Sequence, residues 1–427
     1  MKVTRVFAFM ALAGLAGSAY ATNGYFSHGY GMKAKGMGGA ATATADDAFG
    51  GANNPASMAF AGNRLDLGVD LFSPRREASR TGLGPLNGTA DSDSKYFLIP
   101  EFGYTKQMSS TLALGVTVYG NGGMNSDYPG GQIAAGSCGV GAPASNLLCG
   151  QGSLGVDLMQ LIVAPTAAFK VAPGHAIGVS PLLGYQRFKA EGLQAFTGGT
   201  VSSSPSNVTN RGYDDALGYG VRIGYMGKVS PTVTIGAAYA SKMKFDEFDK
   251  YSGLFAEQGG FDIPENYNLG VAWQATPQVK FALDYQRINY SGVNSISNSS
   301  RAQAQLGADN GPGFGWTDID VWKLGMEYKY NQNMTFRAGY NHGDNPIGSN
   351  DVTFNILAPG IVKDHVTLGM THTFATGNEL TVTYMHAFKN DVSGASILPV
   401  FSGGTPAGTE KIEMYQNSLG IQYSWKM

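Results

Sequence analysis

Trp322-Lys323-Leu324-Gly325-Met326-Glu327-Tyr328-Lys329-Tyr330 decides the fold. Large apolar side chains stand at every second position, and Lys323, Gly325, Glu327 and Lys329 fill the places between them. A period of two is that of a β-strand whose two faces meet different surroundings. The same alternation carries Tyr267, Leu269, Val271 and Trp273, then Val279, Phe281, Leu283 and Tyr285, and finally Leu419, Ile421, Tyr423, Trp425 and Met427. A soluble sandwich would turn these apolar faces inward, whereas a membrane barrel turns them out to lipid and lines its lumen with the polar ones. Alternation alone does not separate the two, so the connections have to.

About fourteen such segments are readable, near 63–73, 94–107, 111–120, 157–171, 175–190, 213–229, 231–249, 264–275, 278–290, 317–330, 333–344, 361–375, 378–391 and 412–427. Short turns at Gln107–Thr111, Val171–His175, Val229–Thr232, Ala275–Gln278, Tyr330–Asn333 and Ala375–Asn378 alternate with long loops near 74–93, 121–156, 191–212, 250–263, 291–316, 345–360 and 392–411. Short and long links in strict alternation are what fourteen antiparallel strands with both termini in the periplasm produce. A Greek-key sandwich has no reason to keep that order. The expected fold is therefore all-β, a 14-stranded antiparallel transmembrane β-barrel.

Composition agrees. Sixty-one glycines, 22 Phe, 22 Tyr and only 14% charged residues suit strands, tight turns and membrane interfaces. A net charge of −2 argues against nucleic-acid binding, which needs a basic face. Residues 1–21 read as an export signal: Lys2 and Arg5, an apolar run from Val6 to Gly17, and the small-x-small site Ala19-Tyr20-Ala21. Export to an oxidising compartment makes Cys138 and Cys149 the partners of one disulfide that closes a small loop. The six histidines show no metal-binding spacing and no nucleophile elbow is present, so neither a catalytic residue, a metal nor a cofactor is expected.

A lumen of fourteen strands is too wide for wall side chains to fill. The spare segment, residues 22–62, is rich in Gly and Ala, lacks alternation and precedes the first strand, so it is expected to fold back as a hatch, leaving 63–427 as the barrel. Its run from Gly29 to Gly39, the element Ala45-Asp46-Asp47-Ala48 and the triplet Asn54-Pro55-Ala56 resemble, in that order, the N-terminal hatch of the FadL family of outer-membrane transport proteins. Phe336-Arg337-Ala338-Gly339-Tyr340 and Asp344-Asn345-Pro346-Ile347 extend the resemblance, which is weak in the long loops. It implies passive outer-membrane transport of hydrophobic small molecules, long-chain fatty acids or aromatic hydrocarbons. It further implies a pocket above the hatch and lateral release into the membrane through a gap at an inward kink of the third strand. The resemblance implies export of oxidised lipids as an alternative. The Gly-rich, Cys-bearing loop near 121–156 and the C-terminal Trp425-Lys426-Met427 depart from the familiar members.

Proline chemistry points to the same stretch of wall. Proline cannot donate to a ladder, and a closed barrel has no edge to hide it. Pro100, Pro165 and Pro181 lie inside the second, fourth and fifth segments, and the third runs into Gly120-Asn121-Gly122-Gly123, which can bend sharply. The wall is thus predicted weakest around strands 2–5, with Pro100, Gly120, Gly122 and Gly123 bordering a gap. Tyr25 and Phe26, beside the mature terminus, either enter the ligand pocket or pack under the hatch. Lys280, Asp284, Lys323, Glu327, Lys329 and Arg337 share one polar face, with Lys323 and Arg337 as candidate partners for a ligand anion and pairing among the charges as the alternative. The expected partners are a hydrophobic small molecule and outer-membrane lipid or lipopolysaccharide, around a monomer in the bacterial outer membrane. Three rivals remain: a general porin for polar solutes, a lipid hydrolase, and an adhesin acting through its loops.

Overall fold

The computed structural model describes residues 22–398 and 408–427. The export signal expected over 1–21 lies outside them. Fourteen long strands form the wall: β1 (Arg64–Thr81), β2 (Phe97–Gln107), β3 (Leu112–Tyr128), β4 (Leu154–Ala172), β5 (His175–Glu191), β6 (Asp214–Lys228), β7 (Val233–Ala240), β8 (Asn266–Gln274), β9 (Val279–Ile288), β10 (Ile319–Lys329), β11 (Met334–Gly343), β12 (Asp364–Thr373), β13 (Glu379–Ala395) and β14 (Thr409–Lys426). Each pairs antiparallel with its neighbour, and β14 returns to β1 in unbroken register from Arg64 opposite Lys426 to Thr81 opposite Thr409. The sheet is a closed barrel. No helix among the described residues is long and apolar enough to cross a membrane.

The faces are inverted relative to a soluble protein. On β10, Trp322 is 51% and Leu324 49% exposed, while Lys323 is 7% and Glu327 3% exposed. Large apolar side chains outside and charges inside are the arrangement that lipid on the outer surface rewards. The six short turns fall at the positions read from the sequence.

The strand ends facing the long loops differ from expectation. β1 continues through Ser73–Thr81, where a loop was predicted, and a short strand, Gly88–Asp91, adds to it there. β3 likewise runs on to Tyr128, and β13 to Ala395. Conversely, the seventh segment stops at Ala240 rather than 249, and Lys244–Phe245 crosses to pair with Tyr219 and Gly218 of β6. The extensions share one reason. Beyond the lipid both faces of a ladder meet water or loops, so pairing continues after the apolar alternation has ended.

Candidate functional site

The wall has one long interruption. β2 and β3 pair only from Phe102 opposite Val118 to Gln107 opposite Ala113, so Phe97–Glu101 and Tyr119–Ser126 have no ladder between them. Above, Asp93 N donates to Asp127 O (2.7 Å) and Asp127 N to Ser92 Oγ (3.0 Å), which closes the opening at its outer end. The result is a window bounded on four sides. Pro100 lies on its β2 edge, where it faces Val69 of β1 in register and needs no partner on β3. β3 bends at a bulge between Gly120 and Gly122, and every residue from Tyr119 to Ser126 is buried, so both faces of this strand have left the wall surface.

The main chain that β3 forfeits on β2 it recovers from the N-terminal segment. Ser27 N donates to Asn121 O (3.3 Å), Gly123 N donates to Tyr25 O (3.3 Å), and Phe26 bridges Gly122. A Cβ on Gly122 would lie 1.9 Å from Tyr25 O, so no side chain fits this approach. Tyr30 Oη donates to Asn121 O (3.0 Å), and a buried amide chain runs from Asn121 Nδ2 to Gln160 Oε1 (3.1 Å) and from Gln160 Nε2 to Gln186 Oε1 (3.1 Å). A second proline site behaves differently. Between β4 and β5 the pairing skips from Val163–Leu183 to Ala167–Val179 around Pro165 and Pro181, but in constant register, with Thr166 and Ser180 hydroxyls 2.7 Å apart across it. That wall is thinned in bonds but does not open.

Residues 22–62 are largely buried, and their contacts run to inward-facing side chains around the barrel. Lys35 pairs with Asp70 of β1 (2.9 Å) and Glu101 of β2 (2.7 Å), and Lys33 with Glu379 of β13 (2.6 Å). Met32 N donates to Gln422 of β14 (2.8 Å) and Ala48 N to Asp66 of β1 (2.7 Å). Ala41 N, Thr42 N and Thr42 Oγ1 converge on Asp284 Oδ2 of β9 at 2.7–2.8 Å. Asp46 meets Lys280 (2.7 Å), and its carbonyl accepts from Lys33 and Arg64. Asn54 caps the 3-10 turn Pro55–Ala59, accepting from Ala56 N (3.1 Å) and donating to Thr42 O (2.7 Å) and Tyr225 O (2.9 Å). The wall admits Asn54 and Pro55 only because Gly224 and Gly178 stand behind them; a Cβ there would come within 2.0 Å and 2.4 Å of the turn.

An aromatic run joins the window to the loop side. Phe188 packs on Phe255 (4.7 Å between centroids), Phe255 on Phe261 (5.0 Å), Phe261 on Tyr25 (6.2 Å), and Tyr25 on Phe26 (5.2 Å), Tyr290 and Trp316. Its outer end opens on a narrow cleft with a cavity volume of about 30 Å³. The lining there is apolar apart from Ser295, with Phe196, Leu306, Phe314 and Leu357 among its walls. Tyr25 and Phe26 thus sit between cleft and window.

The remaining sequence candidates divide. Cys138 and Cys149 form a disulfide with Cα atoms 5.6 Å apart. Arg337 is held by Glu327 (2.6 Å) and Thr371 (2.6 Å), so its charge is already answered. Lys323 is buried and makes no ion pair within 4.0 Å among the described residues. Lys33, Lys35, Glu101, Glu379 and Asp70 were not singled out from the sequence, although two lysines in an otherwise uncharged Gly/Ala run were a signal to hand. Phe261 and Trp316 were hidden in the long loops, and Tyr290 at the end of the ninth segment. Arg76 was missed as well: it is 5% exposed, lies 5.9 Å from the Phe97 ring, donates to Ser94 O, and has no carboxylate within 4.0 Å among the described residues.

Comparison with solved structures finds the same architecture. The toluene transporter TodX of Pseudomonas putida superposes with a TM-score of 0.68 at 19% identity, over 94% of this chain and 99% of that one. A FadL homologue of Pseudomonas aeruginosa gives 0.68 at 13%, and the toluene transporter TbuX of Ralstonia pickettii 0.64 at 17%, each with the same coverage. At these identities the likeness speaks for the fold. No curated protein matches the sequence. The family described as outer membrane protein transport protein (OMPP1/FadL/TodX) matches residues 9–397. The chain belongs to that family, and it is a protein of the bacterial outer membrane.

Proposed function

We propose that this chain is a passive conduit for hydrophobic small molecules, with residues 22–62 as its hatch and the β2–β3 window as its lateral exit. The observation that carries the reading is the aromatic run from the apolar cleft to the strand that leaves the wall at Gly122. An apolar ligand gains about 25 cal/mol for each Å² it removes from water, so a cleft with one hydroxyl among its walls captures it without any specific bond. A path that ends sideways in lipid keeps the ligand out of water throughout. Two of the structural relatives are named as toluene transporters, which favours an aromatic hydrocarbon as ligand. The conduit works as a monomer in contact with outer-membrane lipid, and consumes no cofactor.

One observation favours a second ligand class, a long-chain fatty acid. Arg76 carries a guanidinium with no carboxylate beside it, and burying such a cation is costly unless an anion joins it. It stands beside Phe97 at the window, where the head of an amphiphile would pass.

The test is uptake of labelled toluene and labelled oleate by cells expressing the wild type or Gly122→Val. Uptake of either compound by the wild type, and at least tenfold less by the variant at equal surface abundance, supports the lateral exit. Entry of small sugars and ions, with neither labelled compound taken up, refutes the proposal in favour of a general porin. Loss of oleate but not toluene uptake in Arg76→Gln assigns the fatty acid.

A further inference from the structure

The two sides of the N-terminal segment are held very differently. Toward β1, β2 and β13 it is tied by ion pairs, through Lys33 and Lys35. Toward β9–β12 its one ion pair among the described residues is Asp46 with Lys280 (2.7 Å), and beyond it the segment meets a register row of buried polar side chains: Asp284 opposite Lys323, Lys323 opposite Asn341, and Asn341 opposite His365. His28 of the segment lies on this row, its ring stacked on His365 at 6.2 Å between centroids and 15° between planes. Neither imidazole makes a well-formed hydrogen bond through either nitrogen, and Asn341 Oδ1 and Asp284 Oδ1 also lack partners. Each such buried group costs about 1–3 kcal/mol. The row holds the segment through Asp284, which accepts from Ala41 and Thr42, and through Thr367 and Asn341, which bond Gly38, but not through its two imidazoles.

We propose that His28 and His365 form an acid-sensitive latch whose protonation releases the N-terminal segment from the β9–β12 wall. The inference rests on reading residues 22–62 as a hatch. The groups that face the pair decide the sign. His28 is met by Lys35 from its own segment, by Lys323 from β10 and by His365 from β12. His365 is met by Lys323, by His342 of β11 and by Asp364 on its own strand. Asp364 is already shared between Tyr340 and His342, and Asp284 spends one oxygen on Ala41 and Thr42. A proton added to either ring of the docked segment thus enters a site with a buried lysine and another imidazole beside it. Burial holds His28 well below the ordinary imidazole range.

When the segment withdraws, both rings meet water and titrate near pH 6.5. The docked state then binds fewer protons than the withdrawn one, so docking is fully present above that pH and is lost as pH falls below it. With both rings neutral when docked, the linkage amounts to about 30-fold per ring between pH 8 and pH 5, and about 10³-fold for the pair.

The experiment is hydrogen–deuterium exchange over residues 28–42 of the full chain in lipid nanodiscs at pH 8 and pH 5, corrected for intrinsic exchange, with single-channel conductance alongside. The wild type is expected to be protected at pH 8, to lose up to about 10³-fold of that protection at pH 5, and to show openings there. His28→Gln/His365→Gln is expected to stay protected and closed at both. Unchanged wild-type protection at pH 5 overturns the latch, as does a pH response that survives in the double variant. If the double variant fails to dock at pH 8, the single variants decide: about 30-fold remains in each, and a full wild-type response in both sinks the proposal. Absence of protection in the wild type at pH 8 refutes the hatch itself, and with it the latch.

Discussion

Replacing Lys35 by Met should loosen the N-terminal segment far more than the same change at Lys33, two residues away. Lys35 is 2% exposed and its two carboxylates, Asp70 and Glu101, are 1% and 0% exposed. Removing the cation leaves both acids buried, Asp70 accepting from the Ser418 hydroxyl and Glu101 from Gly31 N. Breaking a buried pair in this way costs about 3–5 kcal/mol, or roughly 10²- to 10⁴-fold in the population of the withdrawn segment. Lys33 is different. Its partner Glu379 keeps Lys426 at 2.6 Å and Arg64 at 3.3 Å, so Lys33→Met should cost no more than about 1.5 kcal/mol. The assay is exchange protection of residues 31–42 at pH 8, read beside a thermal melt of the barrel. The barrel should melt almost unchanged in both variants, because the closed fourteen-strand ladder does not pass through these residues. Equal loss of protection in the two variants, or none in Lys35→Met, would show that the buried triad is not what ties the segment to β1 and β2.

Other expectations are more local. Asn54→Ala removes an acceptor and two donor bonds at the Pro55 turn and should lower protection of residues 40–59 by about 2–4 kcal/mol, measured by the same exchange. Tyr290→Phe deletes the hydroxyl that donates to Asn23 O (2.7 Å) and accepts from Tyr25 N (3.2 Å); about 1–3 kcal/mol is at stake, and exchange protection of residues 23–27 should fall. Leu324→Arg, on the outward face, should reduce folding yield into vesicles by about 2–4 kcal/mol, a cost that Gly325→Ala does not share for the same reason, being directed at Met37 inside. Reducing the Cys138–Cys149 bond should free its loop to proteolysis while the barrel melt stays in place, since the loop it closes spans 11 positions outside the wall.

What could be read in the chain alone was whatever is periodic. A strand with lipid on one side and water or polar filling on the other must alternate, so Trp322–Tyr330 announces itself, and a two-faced wall with alternating short and long links closes only as a barrel. The bulge of β3 also falls where the sequence allows it, in Gly120-Asn121-Gly122-Gly123, a run that can bend sharply. Strand ends above the membrane were not legible, because Pro74–Thr81 alternates in burial without alternating between apolar and polar residues. Tertiary structure alone decided which charges answer one another. Arg337 and Lys323 look equivalent along the sequence, yet Glu327 reaches the first, while Lys323 is left beside two imidazoles. It also decided that Tyr25 meets Gly122, and Lys35 meets Glu101, across separations that no local pattern records. Periodicity is written by solvent, one residue at a time; partners are chosen by closure, which places residues hundreds of positions apart on one inner surface.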